Sequence, residues 1–319
     1  MVAISFMIEG QTGVTWPHWK RLVAEVEELG FAGMFRSDHF TSARPPDKAS
    51  LETIVSLTYL ADHTRRIHFG PLVAPFSFRN PVFLARQAAA IDDLSNGRMI
   101  LGLGAGWQER EHQAFGFELG DLPTRMQRFQ EGLEVVTRLL KSNEPVSYQG
   151  SFYQLHEAML LPRPQRPGGP RILLGGNGPR RTLPLAALYA DIWNAVSLPP
   201  GEFRERSELL DRLLVEAGRK PEDVQRTLMR AVFFGRDKAE LERRLRPFTN
   251  QPEYEGKGID DIVHSMTTQH HEIAGTADMI IEQIKTYERA GVEELMLQWF
   301  DFEDIDGLRA FAASVLPHV

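Results

Sequence analysis

Three stretches concentrate side chains that can do chemistry. Ser37, Asp38 and His39 follow one another after the apolar run GMF. Imidazole titrates at about 6.5, so a histidine there can hold or release a proton near neutrality. A neighbouring carboxylate, titrating near 4, is suited to orienting it, so Asp38 is the expected partner of a catalytic His39. The second stretch is LLGGNGPRRT, residues 173–182. Gly175, Gly176, Asn177 and Gly178 end an apolar run there, and a proline precedes an alanine- and leucine-rich helical segment. Backbone N–H groups left open at such a helix start make an anion site. Arg180, Arg181 and Thr182 add two cations and a hydroxyl within reach of a phosphate. The third stretch, GLGAGW at residues 102–107, contributes Gly104, Gly106 and Trp107.

Neither glycine stretch carries a nucleotide signature. No Gly-Lys-Ser/Thr closes the first, and Trp107 stands where a dinucleotide fingerprint has its third glycine. The ligand these residues imply is a phosphorylated small molecule. Hydrolytic chemistry has no visible nucleophile, since no GxSxG elbow occurs. HHEIAG at 270–275 lacks the second histidine of an HExxH zinc site, and His63, His68, His156 and His318 are scattered, so no metal site is expected. The chain has no cysteine, which excludes disulfides, thiolate zinc sites, iron–sulfur clusters and a thiol nucleophile.

What must position these residues is legible as a rhythm. Short apolar runs alternate with amphipathic segments: AISFMI, AGMFRSDHF, RIHFGPLV, RMILGLGAG, RILLGG, DIWNAV, TLMRAVFFG and EELMLQW are eight strand candidates, and helical patterns separate them. In TWPHWKRLVAEVEELG, for example, Trp19, Leu22, Val23, Val26 and Leu29 share one helical face, and Gly30 suits the C-terminal cap. Strands alternating with helices require parallel pairing, and eight such units suit an α/β fold closed as a (β/α)8 TIM barrel; a doubly wound open sheet is the alternative. The whole of 1–319 is expected to be one domain. Two excursions break the rhythm, at about 143–170 and 247–275, and are expected as insertions near the C-terminal mouth. In a barrel the strand ends form the site. Glu9 and Gln11 after strand one, Ser37 to His39 after strand two, Gly104 to Trp107 after strand four and Gly175 to Gly178 after strand five therefore converge on one rim.

Length and charge set the remaining bounds. With 319 residues, 42% of them hydrophobic, the chain can bury a large core. Lys plus Arg number 36 against 43 for Asp plus Glu, a net charge of -7 with no long basic run, so nucleic acid is not an expected partner. The N-terminus MVAISFMIEGQTG has no basic leader, and no stretch approaches the ~20 apolar residues of a membrane span. A cytoplasmic protein with a small-molecule substrate and no membrane partner is expected.

Three segments taken together, GFAGMFRSDHF, HFGPLVAPFSFRNPVFLARQAAAIDDLSNGRMILGLGAGWQEREHQAFG and PRILLGGNGPRRTLPLAALYADIWN, resemble the bacterial-luciferase-like oxidoreductases, most of all their coenzyme F420-dependent branch. The resemblance runs over nearly the whole chain. It implies a TIM barrel holding a deazaflavin or flavin at its C-terminal mouth, with the phosphate near the strand-five turn and the ring near strands two to four. It also implies a non-prolyl cis peptide mapping onto Leu72 and Val73, a histidine at position 39 beside the reactive ring, and a homodimer. Relatives that oxidise sugar phosphates have a catalytic glutamate just after the strand-four glycines. Trp107 holds that place here, which argues against a sugar phosphate. The function implied is hydride transfer between F420 and an organic substrate. An FMN-dependent monooxygenase using oxygen and a non-catalytic flavin-binding protein are the alternatives. The tail of F420 is an anionic oligoglutamate, so a basic track of Arg110, Arg180 and Arg181 would favour it over FMN.

Overall fold

A computed structural model describes residues 1–247, 254 and 256–319. All eight strand candidates form, and each is followed by the helical layer its sequence calls for. The first strand, β1 (Ala3–Ile8), shows why these runs are apolar throughout: every residue after Ala3 is buried. Ile4, Phe6 and Ile8 pack outward in the core that joins sheet to helices. Met7 points the other way, into a smaller cluster filling the barrel with Phe35, Leu72, Ile100, Leu173, Ile192 and Met296. Alternate residues thus serve two cores, as a strand covered on both sides requires.

Parallel pairing links β3 (His68–Pro71), β2 (Gly33–Arg36), β1, β12 (Glu294–Gln298), β10 (Gln225–Phe234), β9 (Ile192–Val196), β8 (Arg171–Gly175), β5 (Ile100–Gly104) and β4 (Ala74–Pro75) in that order. The two ends of this path, β3 and β4, are halves of one barrel stave. They are joined through Leu72 and Val73, whose peptide bond is cis, as the family resemblance implied. Closure is completed by a bridge between Phe69 and Met99, with the Phe69 amide donating to the Arg98 carbonyl at 3.2 Å. The closing strands meet at glycines. A Cβ on Gly70 would lie 1.9 Å from the Ile100 carbonyl oxygen, and one on Gly102 would lie 2.0 Å from that of Pro71.

The helices follow their sequence signals. The helix α1 (Trp16–Leu29) buries Trp19, Leu22, Val23 and Val26 and ends at Gly30 in the left-handed conformation. The helices α2 (Thr53–His63) and α3 (Pro81–Leu94) come next; α3 begins with Pro81 after Asn80, whose side chain accepts the Val82 amide at 2.9 Å. A short helix without a counterpart among the expected elements, α4 (Glu109–Phe115), stands on the rim after β5 and stops at Gly116. The helix α5 (Leu122–Lys141) starts at Asp121, which accepts the Thr124 amide at 2.9 Å.

The first excursion is a hairpin, β6 (Val146–Gln149) with β7 (Gln154–Ala158), rising from the C-terminal end of α5. It lies back along that helix, and Glu131 accepts the amides of Ser151 and Phe152 at 3.1 and 2.8 Å. The remaining outer helices are α6 (Thr182–Tyr189), α7 (Pro200–Glu216), α8 (Lys238–Leu245), α10 (Ala277–Arg289) and α11 (Ile305–Val315). Residues 248–253 and 255 of the second excursion lie outside the described residues. The rest of it folds into α9 (Ile259–Thr268) and β11 (Ile273–Gly275), which extends the sheet by pairing in parallel with the C-terminal end of β10. No helix among the described residues is long and apolar enough to cross a membrane.

Candidate active site at the barrel mouth

A cavity of about 570 Å³ opens at the C-terminal ends of the strands, within the usual size of a small-molecule site. Of the expected site residues, Glu9, Gln11, His39, Leu72, Val73, Gly104, Gly106, Trp107, Gly175 and Gly176 line it. A second cavity of about 660 Å³ lies by β10 and β12. There Arg244 is held by Glu240 and Asp304 at 2.8 and 2.6 Å, and the lining offers neither a glycine turn nor a histidine. The convergence of polar groups makes the first the candidate site.

His39 is the titratable group best placed to act. Its Nδ1 lies 2.9 Å from Oε1 of Glu111 on α4, while the other oxygen of Glu111 accepts the Phe40 amide at 3.1 Å. A carboxylate can only accept here, so the proton sits on Nδ1 and the remaining ring nitrogen, Nε2, is left for a substrate. Glu111 is buried, and the Trp107 ring stands edge-on to the imidazole with centroids 5.6 Å apart. Burial works to lower the pKa of His39. The hydrogen bond and charge of Glu111, helped by Glu9 and Asp38, outweigh it and hold the imidazole above its ordinary value.

Glu111 was absent from the sequence expectations, and Asp38 was given its role. The structure places Asp38 differently: both its oxygens are taken by Arg79, at 2.8 Å to Nε and 2.7 Å to Nη2. Arg79 also reaches Glu52 at 2.7 Å, and these carboxylates raise its pKa against the cost of burial. Asp38 therefore anchors the loop after β2 while Glu111 orients the histidine. Arg36, fully buried, braces the same loop by donating to Ser56 Oγ at 2.7 Å and to the Leu51 carbonyl at 2.8 Å. Desolvation brings its pKa down to about 10, which leaves it a cation at neutral pH.

Across the first strand end runs a hydrogen-bonded chain. The Gly10 amide donates to Ser37 Oγ at 3.0 Å, that hydroxyl donates to Gln11 Oε1 at 2.7 Å, and Gln11 Nε2 donates to Glu9 at 2.7 Å. Gln298, at the end of β12, supplies a second donor to Glu9 at 2.6 Å. Glu9 and Gln11 are thereby fixed in one orientation toward the cavity.

The glycine turns divide into two kinds. Gly104 and Gly175 make room for protein: a Cβ on either would lie 2.5 or 3.1 Å from a Val73 methyl, so Val73 forms a shelf between the two turns. Gly106 and Gly176 have φ of +84° and +129°, which side chains other than glycine resist. At the turn after β8 Asn177 faces inward to its own fold. It donates from Nδ2 to the Val196 carbonyl at 2.7 Å and accepts the Val196 amide at 2.9 Å, tying β8 to β9. The amides of Gly178, Arg180, Arg181 and Thr182 have no protein acceptor among the described residues, and α6 begins at Thr182. Arg180 and Arg181 are exposed beside them. Arg110 is not part of this group; it turns away to Asp47, at 2.6 and 2.7 Å, and to the Ser42 carbonyl at 2.9 Å.

The closed parallel barrel thus carries a carboxylate-oriented histidine and an open-amide turn on one rim, the layout of a candidate active site at its C-terminal mouth. The profile of the luciferase-like monooxygenases matches residues 2–294, and the chain belongs to that family. It is 27% identical over 312 residues to the F420-dependent glucose-6-phosphate dehydrogenase of Amycolatopsis mediterranei (strain U-32), covering 91% of each chain. It is 29% identical over 302 residues to the phthiodiolone/phenolphthiodiolone dimycocerosates ketoreductase of Mycobacterium kansasii, covering 93% of this chain and 74% of that one. Among solved structures, an F420-dependent secondary alcohol dehydrogenase in complex with an F420-acetone adduct superposes with a TM-score of 0.83 at 19% identity, covering 100% of this chain and 99% of the other. A monooxygenase from Streptomyces bottropensis superposes with a TM-score of 0.80 at 22% identity, covering 99% of both. At such identities the likeness is one of fold.

Proposed function

We propose that the protein is an F420-dependent oxidoreductase that interconverts a small carbonyl compound and its alcohol. The observation that carries this reading is the His39–Glu111 pair on the cavity wall. Carbonyl reduction needs one hydride and one proton, and a buried carboxylate that raises the pKa of His39 above its ordinary value biases the ring toward the protonated form that can supply that proton. The named activities of the relatives support the cofactor and the carbonyl–alcohol chemistry.

The residues present fit a phosphorylated, ring-bearing cofactor. The turn from Gly178 to Thr182 offers open amides at the start of α6, with Arg180 and Arg181 beside it for phosphate. The Val73 shelf, flanked by Gly104 and Gly175, offers an apolar face for a flat ring. F420 supplies a two-electron hydride carrier when bound. His39 does the rest from its own atoms. Nε2 gives its proton to the substrate oxygen in the reducing direction and takes it back in the oxidising one, while Glu111 stabilises the imidazolium through Nδ1. Trp107 and the loop after β2 wall the substrate against solvent. A homodimer belongs to the same proposal and rests on the family resemblance, and cytoplasmic residence belongs to it on the cysteine-free composition.

His39→Ala tests the assignment. Turnover should fall by roughly 10²- to 10⁴-fold, the usual contribution of a general acid–base group, with cofactor affinity unchanged within a few-fold. Turnover close to wild type would return His39 to a structural role.

A further inference from the structure

One buried group on the cavity floor has no part in the proton transfer. Asn194, on β9, is fully buried and lines the cavity beside Gly175, Val196 and Met229. Its amide orientation is fixed by its neighbours. Thr227 spends its only hydroxyl proton on the Trp193 carbonyl at 3.1 Å, so its oxygen must accept from Asn194 Nδ2 at 2.9 Å. The same NH₂ group lies 3.3 Å from Met296 Sδ. Oδ1 is therefore the free end, and it has no partner among the described residues. A buried carbonyl oxygen in an otherwise apolar floor calls for a donor from the occupant.

The position in the barrel says which occupant. In the strand order β9 lies opposite β2, whose following loop carries His39, and next to β8, which leads to the phosphate turn. A donor meeting Asn194 belongs to the molecule whose phosphate is held next door, and the substrate oxygen lies across the mouth at His39. Resting on the F420 reading above, we propose that Asn194 Oδ1 accepts the imide N–H of the cofactor's pyrimidinedione ring and so selects for rings that carry it. Flavins and deazaflavins both present that N–H between two carbonyls, so Asn194 recognises the ring class and leaves the choice between them to other contacts.

The test is a binding titration, read by the cofactor's own fluorescence, of wild type and Asn194→Leu against F420 and against a deazaflavin methylated at its imide nitrogen. Asn194→Leu should weaken F420 binding by roughly 5- to 150-fold, the range for an unmatched buried hydrogen bond. Methylation should weaken binding to wild type comparably and change binding to Asn194→Leu far less. The methylated probe on wild type needs no variant to fold. If wild type binds both deazaflavins equally well, or if methylation costs the variant as much as wild type, the role of Asn194 is overturned while the F420 reading stands. If wild type binds neither F420 nor FMN, both fall together.

Discussion

His39 is hydrogen-bonded to a carboxylate that lies 72 positions away in the chain. That distance explains what the sequence hid. A histidine after a strand, flanked by an aspartate, is visible as a candidate, but which carboxylate it meets depends on where α4 lands on the rim. Adjacent Asp38 is instead drawn to Arg79, because a bidentate guanidinium satisfies a buried carboxylate better than one imidazole nitrogen can. The pH dependence separates the two acids. His39 is raised above its ordinary value, so reduction by its protonated form should hold at low pH and decline as pH rises through a value above about 6.5. Glu111→Gln removes the charge that raises it, and the declining limb of kcat should move to lower pH. The linkage has the same sign: stability from the pair is fully present below about 6.5 and fades as pH rises through the folded-state value. Asp38→Asn should cost stability and move the limb far less. A limb that stays in place in Glu111→Gln would separate Glu111 from His39 in function.

At the scale of elements, the eight staves were legible because burial on both faces makes each an apolar run, and the caps at Asn80 and Gly30 marked the helices between them. The helix α4 was not. Its seven residues read EREHQAF, with no apolar stripe to announce it, and its buried Glu111 is explained only by tertiary contact. The strand β11 escaped for a related reason: three residues carry too little alternation to be read, and β10 supplies the ladder that makes them a strand. Closure of the barrel rests on Gly70 and Gly102, where backbone meets backbone. Gly70→Ala should destabilise by about 3 kcal/mol or more, since a carbonyl at 1.9 Å cannot rotate aside as a side chain could. Gly201→Ala, in α7 with nothing within 4 Å of the added carbon, should be neutral or gain up to about 1 kcal/mol. Urea unfolding of both variants checks the contrast. Equal midpoints would mean that the β3–β5 contact yields easily.

The whole molecule carries a net charge of -7, yet its phosphate turn shows Arg180 and Arg181 to solvent. On the proposed reading the chain would draw an anionic cofactor locally, against its overall field, over distances that salt screens within about 8 Å at physiological ionic strength. This is where F420 and FMN differ. Both carry a phosphate, but only F420 continues beyond it into an acidic tail, and only reduced FMN reacts readily with oxygen. Fold alone leaves the two equally at home, since the same barrel serves an F420-dependent dehydrogenase and a monooxygenase, whereas the sequence resembles the F420-dependent branch. The most direct test is a titration of the purified protein with F420 and with FMN at low and high salt, followed by anaerobic turnover of ketones with the tighter-binding reduced cofactor. The account predicts micromolar or tighter F420 binding that weakens with salt, weaker FMN binding, and full turnover without oxygen. Tight FMN binding, no detectable F420 binding and turnover that stops when oxygen is removed would contradict it.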